Sequence, residues 1–338
     1  MRAAGAAYPL TLVALWIALR YVGEGWWVST AGLYLPRFVF GLPLPVLALA
    51  LWRLRMRRLL VAQTASVLLV VFSLMGLVMP WPTSRDPVAP SMRVLSLNVD
   101  SGRAGPATIV DAVTRYAPDV VLLQETGGND QLAAALGARY PTVDSSGQFV
   151  LATRFALLRK IEPDKLLYGG ILHHPRFVEY LLATNLGPVT FYSVHPASPR
   201  EGLQSLRGEG LRREIRSGRL IEGSRAHLLE ANAGLRTLQV ETFARAAMQE
   251  AGPVVIAGDT NLPELSPLLR RSLGGFDDAF TSAGWGFGYT FPSNRWLPWM
   301  RIDRILARGG LRFTHFEIGR PVVSDHHFIL ADLQRRSP

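Results

Sequence analysis

Hydrophobic and polar positions divide the chain into two textures. Over the first ninety residues, long apolar runs are separated by short charged breaks. Residues 3–19 carry no charge, residues 34–52 are apolar apart from Arg37 and three prolines, and residues 59–84 are uncharged throughout. A membrane-spanning helix needs about 20 apolar residues. The pattern therefore predicts a transmembrane region over residues 1–84, three helices in all, with the prolines of the second run accommodated inside a helix bundle. A cleaved signal peptide is the competing account of the first run. Two more apolar runs follow it and no small-residue cleavage site stands out, which favours anchors. Arg53, Arg55, Arg57 and Arg58 lie between the second and third runs. Basic loops stay on the cytoplasmic side, so the expectation is a cytoplasmic start and an extracytoplasmic exit after Ser84. Trp26, Trp27 and Trp81 then fall where interfacial aromatics belong.

A short proline-containing linker, residues 85–91, leads to the second texture. From Met92 onward short apolar strands alternate with helical patterns, the rhythm of an α/β domain over residues 92–338. Strands are predicted near residues 93–100, 120–123, 149–152, 177–184, 190–196, 254–257, 301–307 and 328–333, and helices near 108–116, 129–140 and 235–250. Residues 197–236 interrupt the rhythm with many arginines, among them Arg207, Arg212, Arg213, Arg216, Arg219 and Arg225, and five interspersed glutamates. A solvated, partly helical insertion is the preferred reading; a basic arm near the site or the lipid surface is the alternative. Residues 285–300 form a glycine- and aromatic-rich loop whose tryptophans, Trp285, Trp296 and Trp299, suit core packing or contact with an acyl chain.

The chemistry gathers at strand ends. Asn98 and Asp100 close the first strand, Glu125 follows the second, His195 sits at the tip of another, Asp259 and Asn261 follow VVIAG, and Asp325 and His326 precede the last strand; Asp303 lies within one more. A polar residue after a buried run is usually ordinary turn chemistry, but turns alone do not account for so many such ends. The carboxylates offer oxygen ligands suited to Mg²⁺ or Mn²⁺. Cysteine is absent, which removes disulfides and thiolate ligands. No zinc-ligand spacing, phosphate-binding loop or nucleophile elbow is present, so metal-activated hydrolysis fits better than covalent catalysis. The net charge of +10 adds a partner argument. Residues 1–90 hold 8 Arg against 2 acids, leaving 28 basic and 24 acidic residues in the rest. A duplex-binding domain shows a stronger bias, so the surplus points to a membrane.

Taken in order, LNVD, QE, SVH, GDTN, RIDRI and SDH make the chain from about Met92 to Leu333 resemble the endonuclease/exonuclease/phosphatase superfamily. That family includes pancreatic-type deoxyribonuclease, abasic-site endonucleases, inositol polyphosphate 5-phosphatases and bacterial sphingomyelinases. The resemblance implies a four-layer α/β sandwich, two central mixed sheets flanked by helices, here preceded by the transmembrane region. It implies Glu125 as the principal metal carboxylate, Asn98 near metal and phosphate, and Asp100 and Asp325 completing the metal environment. His326 matches the imidazole that handles a proton or contacts the scissile phosphate, with Asp303 as its carboxylate partner. Asp259 matches the residue that orients the attacking water or protonates the leaving oxygen, and Asn261 and His195 match donors to phosphoryl oxygens. Ser324 and His195 have a plainer reading as loop hydrogen-bond partners. Arg304 and His327 depart from the residues usual at their positions and are expected to alter substrate contacts. His173, His174, His227 and His315 match no motif.

Apolar runs ahead of such a domain are similar to bacterial membrane members of the family, some linked to glycopeptide-antibiotic resistance. The leading expectation is a membrane-anchored, Mg²⁺- or Mn²⁺-dependent phosphoesterase at the extracytoplasmic face, acting on a phosphate ester or pyrophosphate of a lipid or lipid-linked substrate, with the linker confining it to the bilayer surface. A membrane-tethered nuclease acting on nucleic acid is second, and a non-catalytic anchored binding module third.

Overall fold

The computed structural model describes residues 1–79, 85–127, 130–205, 224–319 and 323–336. Trp81 and most of the arginine-rich insertion, including Arg207, Arg212, Arg213, Arg216 and Arg219, lie outside the described residues.

The apolar runs fold as helices α1 (Arg2–Ile17), α2 (Trp27–Leu33), α3 (Pro43–Arg53) and α4 (Arg57–Leu68). Continued through wider and tighter helical turns, the first runs Arg2–Gly25 and the last Arg57–Leu74, each long and apolar enough to cross a membrane. At about 1.5 Å per residue the latter is ~27 Å long, near the thickness of a hydrocarbon core. The second apolar run, residues 34–52, is helical over Arg37–Arg53, a tight first turn leading into α3. Trp27–Leu33, ahead of that run, meets Arg37–Arg53 at a 95° bend, so the described residues hold two helices long and apolar enough to cross a membrane, or three such segments if the bent pair counts as one. The bend falls beside Pro36, whose ring disfavours helix at the residue before it.

From Ser91 the chain runs β1 (Ser91–Asn98), α5 (Pro106–Thr114), β2 (Val120–Gln124), α6 (Asp130–Gly137), β3 (Thr142–Ser146), β4 (Phe149–Thr153), β5 (Ala156–Ile161), β6 (Leu166–Tyr168), β7 (Ile171–His173), β8 (Phe177–Thr184), β9 (Gly187–Val194), α7 (Arg200–Ser205), α8 (Ser224–Gln249), β10 (Val254–Asp259), α9 (Pro267–Leu273), β11 (Asp277–Asp278), α10 (Ala279–Ala283), β12 (Asp303–Arg308), β13 (Leu311–Ile318) and β14 (Ile329–Arg335). Two six-stranded sheets result, ordered β3-β4-β2-β1-β14-β13 and β5-β8-β9-β10-β12-β11. In each, only the central pair is parallel, β1 with β2 and β9 with β10; the outer neighbours are antiparallel. The two sheets thus share one pattern of strand sense.

Alternation along each strand sets the layers, because successive side chains point to opposite faces. Val94, Leu122, Tyr180, Phe191, Val255 and Ile305 meet between the sheets. Leu95, Val121 and Leu123 face the other way and pack with Ile109 and Val113 of α5 and Leu132 and Leu136 of α6. Tyr192, Val254 and Ile256 pack with Val240 and Phe243 of α8 and Leu268 of α9. The result is helix, sheet, sheet, helix: the four-layer sandwich the resemblance implied.

The apolar helices do not hang from a tether. Leu12, Leu33, Leu44 and Leu74 share one buried cluster with Leu265, Met300 and Ile302 of the α/β part. Val78 and Gly286 form an antiparallel bridge, and Tyr289 donates its hydroxyl to the Met75 carbonyl at 2.9 Å. Trp27 is buried against Ala226 and Leu229 of α8, so it packs between the two parts rather than lying in an interfacial loop; Trp26 beside it is exposed.

Candidate active site

The parallel pairs decide where the chemistry sits. Asn98 ends β1 and pairs with Gln124 at the end of β2, just before Glu125. Asp259 ends β10, whose neighbour β9 stops one residue before His195. All four strands therefore deliver a polar residue to one edge, the carboxyl end, where α/β sheets commonly bind ligands. Asp303 opens β12 directly opposite Asp259, and His326 lies just ahead of β14, which pairs antiparallel with β1. Gly258 makes the strand approach possible: a Cβ there would sit 2.0 Å from the Val194 carbonyl oxygen. Beneath the edge, the buried Gln124 amide reaches Ser96 Oγ at 3.3 Å and Ser193 Oγ at 3.4 Å, joining the two sheets.

Asp259 is the centre of the cluster. Asn98 Nδ2 donates to Glu125 Oε1 at 2.9 Å and to Asp259 Oδ2 at 3.3 Å. His195 Nε2 lies 3.2 Å from Glu125 Oε1 and 3.7 Å from Asp259 Oδ2. His326 Nε2 is 3.7 Å from Asp259 Oδ2, while its Nδ1 is held 3.0 and 3.1 Å from the two Asp303 oxygens. The predicted core set Asn98, Glu125, His195, Asp259, Asp303 and His326 is thus one connected group.

The charges follow from these contacts. Burial alone would push the His326 imidazole down, but Asp303 and then Asp259 outweigh it and hold its pKa up at about 10. Burial likewise opposes charge on Glu125, yet His195, Asn98 and His326 bring its carboxylate down to about 2. Asp259 is pushed up, chiefly by burial and further by Asp303, against the opposing pull of the two imidazoles. A carboxylate raised this way binds a proton more readily than an ordinary one, which suits a proton acceptor.

Two observations bear on a metal. Glu125, Asn98 and Asp259 are hard oxygen donors, the type Mg²⁺ and Mn²⁺ prefer. His195 Nε2 is buried without a well-directed hydrogen-bond partner among the described residues, although it lies near two carboxylates. An orphaned buried nitrogen at this point suits a site that receives a further polar group. Asp259, Asp303 and His326 also place three ligand atoms within 4.8 Å of one another. Because His326 and Asp303 are already bound to each other, the Glu125 side, with its carboxylate one-third exposed, is the more available place for a cation. The donor set fits the metal the resemblance implies.

Asp100 and Asp325 are placed at the mouth rather than the centre. Asp100 pairs with Arg103 at 3.1 Å and Asp325 with Arg200 at 3.1 Å. Asn261 turns its amide to the Pro196 carbonyl at 3.0 Å, and its backbone N–H donates to Asp259 Oδ1 at 2.8 Å. Asp100, Glu125 and Asn261 all have positive φ, at 46°, 54° and 51°. Non-glycine residues held this way carry about 1–3 kcal/mol of strain each and cluster at functional sites.

Four positioning features were not legible in sequence. Gln148 Oε1 contacts His195 Nδ1 at 2.7 Å; a lone Gln in a hairpin turn gives no signal. Tyr34 donates its hydroxyl to the Asn261 carbonyl at 2.8 Å, hidden because it belongs to an apolar run. Ser293 N donates to the Asp325 carbonyl at 2.7 Å, so the aromatic loop pins the SDH segment, and the Phe291 ring lies tilted against the His326 ring with centroids 4.7 Å apart. Ser324 takes its plainer reading: its hydroxyl accepts the His326 N–H at 3.1 Å. Arg304 corrects an expectation. It is 1% exposed and bound to Asp278, Glu264 and two carbonyls, so its guanidinium braces the fold.

A two-sheet sandwich with carboxylates, an amide and two imidazoles at one edge has the outline of a metal-dependent hydrolase. The sequence profile of the Endonuclease/Exonuclease/phosphatase family matches residues 95–326, and the chain belongs to that family. It is accordingly an enzyme of the divalent-metal-dependent class that cleaves phosphate esters. No curated protein matches the chain in sequence. Among solved structures, it is similar to an endonuclease/exonuclease/phosphatase from Beutenbergia cavernae, at 16% identity over 73% of this chain and 72% of that one, with a TM-score of 0.51. A conserved protein of unknown function from Enterococcus faecalis is similar at 14% identity, 72% and 100% coverage and a TM-score of 0.51. The beta toxin of Staphylococcus aureus follows at 17% identity, 71% and 99% coverage and a TM-score of 0.50. At these identities the likeness is one of fold.

Proposed function

We propose that the chain is a membrane-anchored phosphoesterase that uses Mg²⁺ or Mn²⁺ to hydrolyse a phosphate ester or pyrophosphate of a lipid or lipid-linked substrate at the extracytoplasmic face. One observation carries the lipid part: the edge holding the acidic cluster is packed against the apolar helices, with Tyr34 bonded to the site residue Asn261. Arg55, Arg57 and Arg58 of the loop between α3 and α4 lie beside Arg2 at the start of α1, whereas Gly23 near the other end of that helix adjoins Pro267 of the α/β part; under the positive-inside rule this supports an extracytoplasmic site.

In this reading Glu125 and Asn98 would hold the metal, and Asp100 and Asp325 would complete its environment. A bound divalent cation would polarise a phosphoryl oxygen. Asp259, raised by burial, orients the attacking water and takes its proton. His326, kept as imidazolium by Asp303, faces the charge growing on the phosphoryl group, and His195 and Asn261 add donors there. The experiment is a phosphate-release screen of the full-length protein with Mg²⁺ or Mn²⁺ over phosphorylated lipids, nucleotides and DNA. Lipid phosphates should be hydrolysed, chelator should stop the reaction, and Asp259→Ala should lower the rate by about 10²–10⁴-fold. Turnover of DNA alone, with steep salt dependence, overturns the reading in favour of a nuclease.

A further inference from the structure

Beside the site, a cavity of about 380 Å³ opens between the helical region and the α/β part. Asn261 and Asp325 border it, so it is continuous with the acidic cluster. Its other walls are mainly apolar, Tyr34 from the bend between α2 and α3, Leu203 from α7, and Phe291, Trp299, Met300 and Ile302, with Ser198, Gln204 and Asn294 interspersed. Arg200 and Arg295 supply positive charge along it. Trp299 has its indole N–H buried without a hydrogen-bond partner among the described residues, which leaves a donor for an incoming group. The same loop carries Trp296 at 99% exposure and Trp285 at 78%.

These features describe a ligand with two ends. Leu203, Met300 and Ile302 add aliphatic walls that a base-stacking groove for nucleic acid does not need, and the pocket leads directly to the phosphate-handling residues. Its volume is near the lower limit of ligand pockets, ~300–1,000 Å³, so it accommodates only the part of a long chain nearest the phosphate. The remainder needs another apolar medium. Met300 and Ile302 pack in one cluster with Leu12, Leu44 and Val70 of the apolar helices, so the cavity adjoins the surface that a bilayer would surround.

We infer that this cavity is the subsite for the chain segment next to the phosphate of a long-chain lipid phosphate, with the head group reaching past Asn261 and Asp325 to Asp259 and the rest of the chain remaining in the membrane. The inference rests on the lipid-phosphoesterase reading above. It is tested with full-length protein in mixed micelles with Mg²⁺, using phosphatidic acids and prenyl diphosphates of graded chain length. For the wild type kcat/KM should rise with chain length. Leu203→Trp, which fills the cavity, and Trp299→Ala, which opens it, should flatten that dependence and lower kcat/KM on the longest chain by about tenfold, mainly through KM. A photoreactive alkyl phosphate should crosslink to the wild type at Leu203, Trp299 or Met300, a result that needs no variant to fold. Hydrolysis of lipid phosphates without chain-length dependence, the same dependence in both variants at unchanged melting temperature, or crosslinks confined to other surfaces overturns the subsite alone. No hydrolysis of any lipid phosphate overturns the functional reading and the subsite with it.

Discussion

At the scale of single residues, the site is a set of opposed pressures on protons. His326 is wholly enclosed, which disfavours its charge, yet two carboxylates hold its pKa near 10. Removing Asp303 takes away the largest of the raising influences and leaves burial pulling the other way. Asp303→Asn should therefore move the His326 pKa down by ~1–3 units, read by NMR titration of its ring nitrogens, with phosphate release falling in parallel above neutral pH as imidazolium is lost. An unchanged titration would mean that Asp259 and Asp325 sustain the charge without Asp303. Individual residues were also the level most legible in sequence. Glu125, Asp259 and His326 stood out because each follows or precedes an apolar strand. Gln148 and Tyr34 did not, since a lone amide and a tyrosine in an apolar run look like any other.

At the scale of elements, the loop between α10 and β12 matters more than its composition suggested. Its aromatic content implied packing; its backbone also fixes Asp325 through Ser293, and the His327 N–H through the Thr290 carbonyl at 2.9 Å. The loop's end is braced by Arg301 and Arg304 against Asp278 and Glu264. Breaking a buried ion pair from one side typically destabilises by about 3–5 kcal/mol. For Arg304→Met the lower end is expected, because both carboxylates keep Arg301 and remain partly solvated. Thermal unfolding should reveal that loss while KM stays unchanged; a raised KM with normal stability would restore Arg304 to the substrate. The second apolar run shows the opposite limit of pattern reading: its hydrophobicity was plain, but the 95° bend at its start beside Pro36, where α2 meets it, was not.

At the scale of the whole molecule, the helices and the sandwich share a core. Leu265, Met300 and Ile302 are buried by that junction, so a chain cut to residues 85–338 would expose them to water. The truncated protein should aggregate or melt well below the full-length protein in detergent, and should lose activity even on a short, soluble phosphate ester, because the Tyr34–Asn261 bond goes with the helices. A stable, monomeric, fully active fragment would reduce the helices to the tether that the linker alone suggested.

The sequence by itself determined the strand–helix alternation, the apolar helical runs, the basic loop between them, and the polar residues at the strand ends. These depend on short-range periodicity and composition, which survive in a linear reading. Only the tertiary structure decided that two sheets share one arrangement of strand directions, that Asp259 lies among Glu125, His195 and His326, and that Tyr34 reaches the site from the apolar helices. Such contacts join residues tens to hundreds of positions apart. They arise from packing of whole faces, to which no local stretch of chain bears witness.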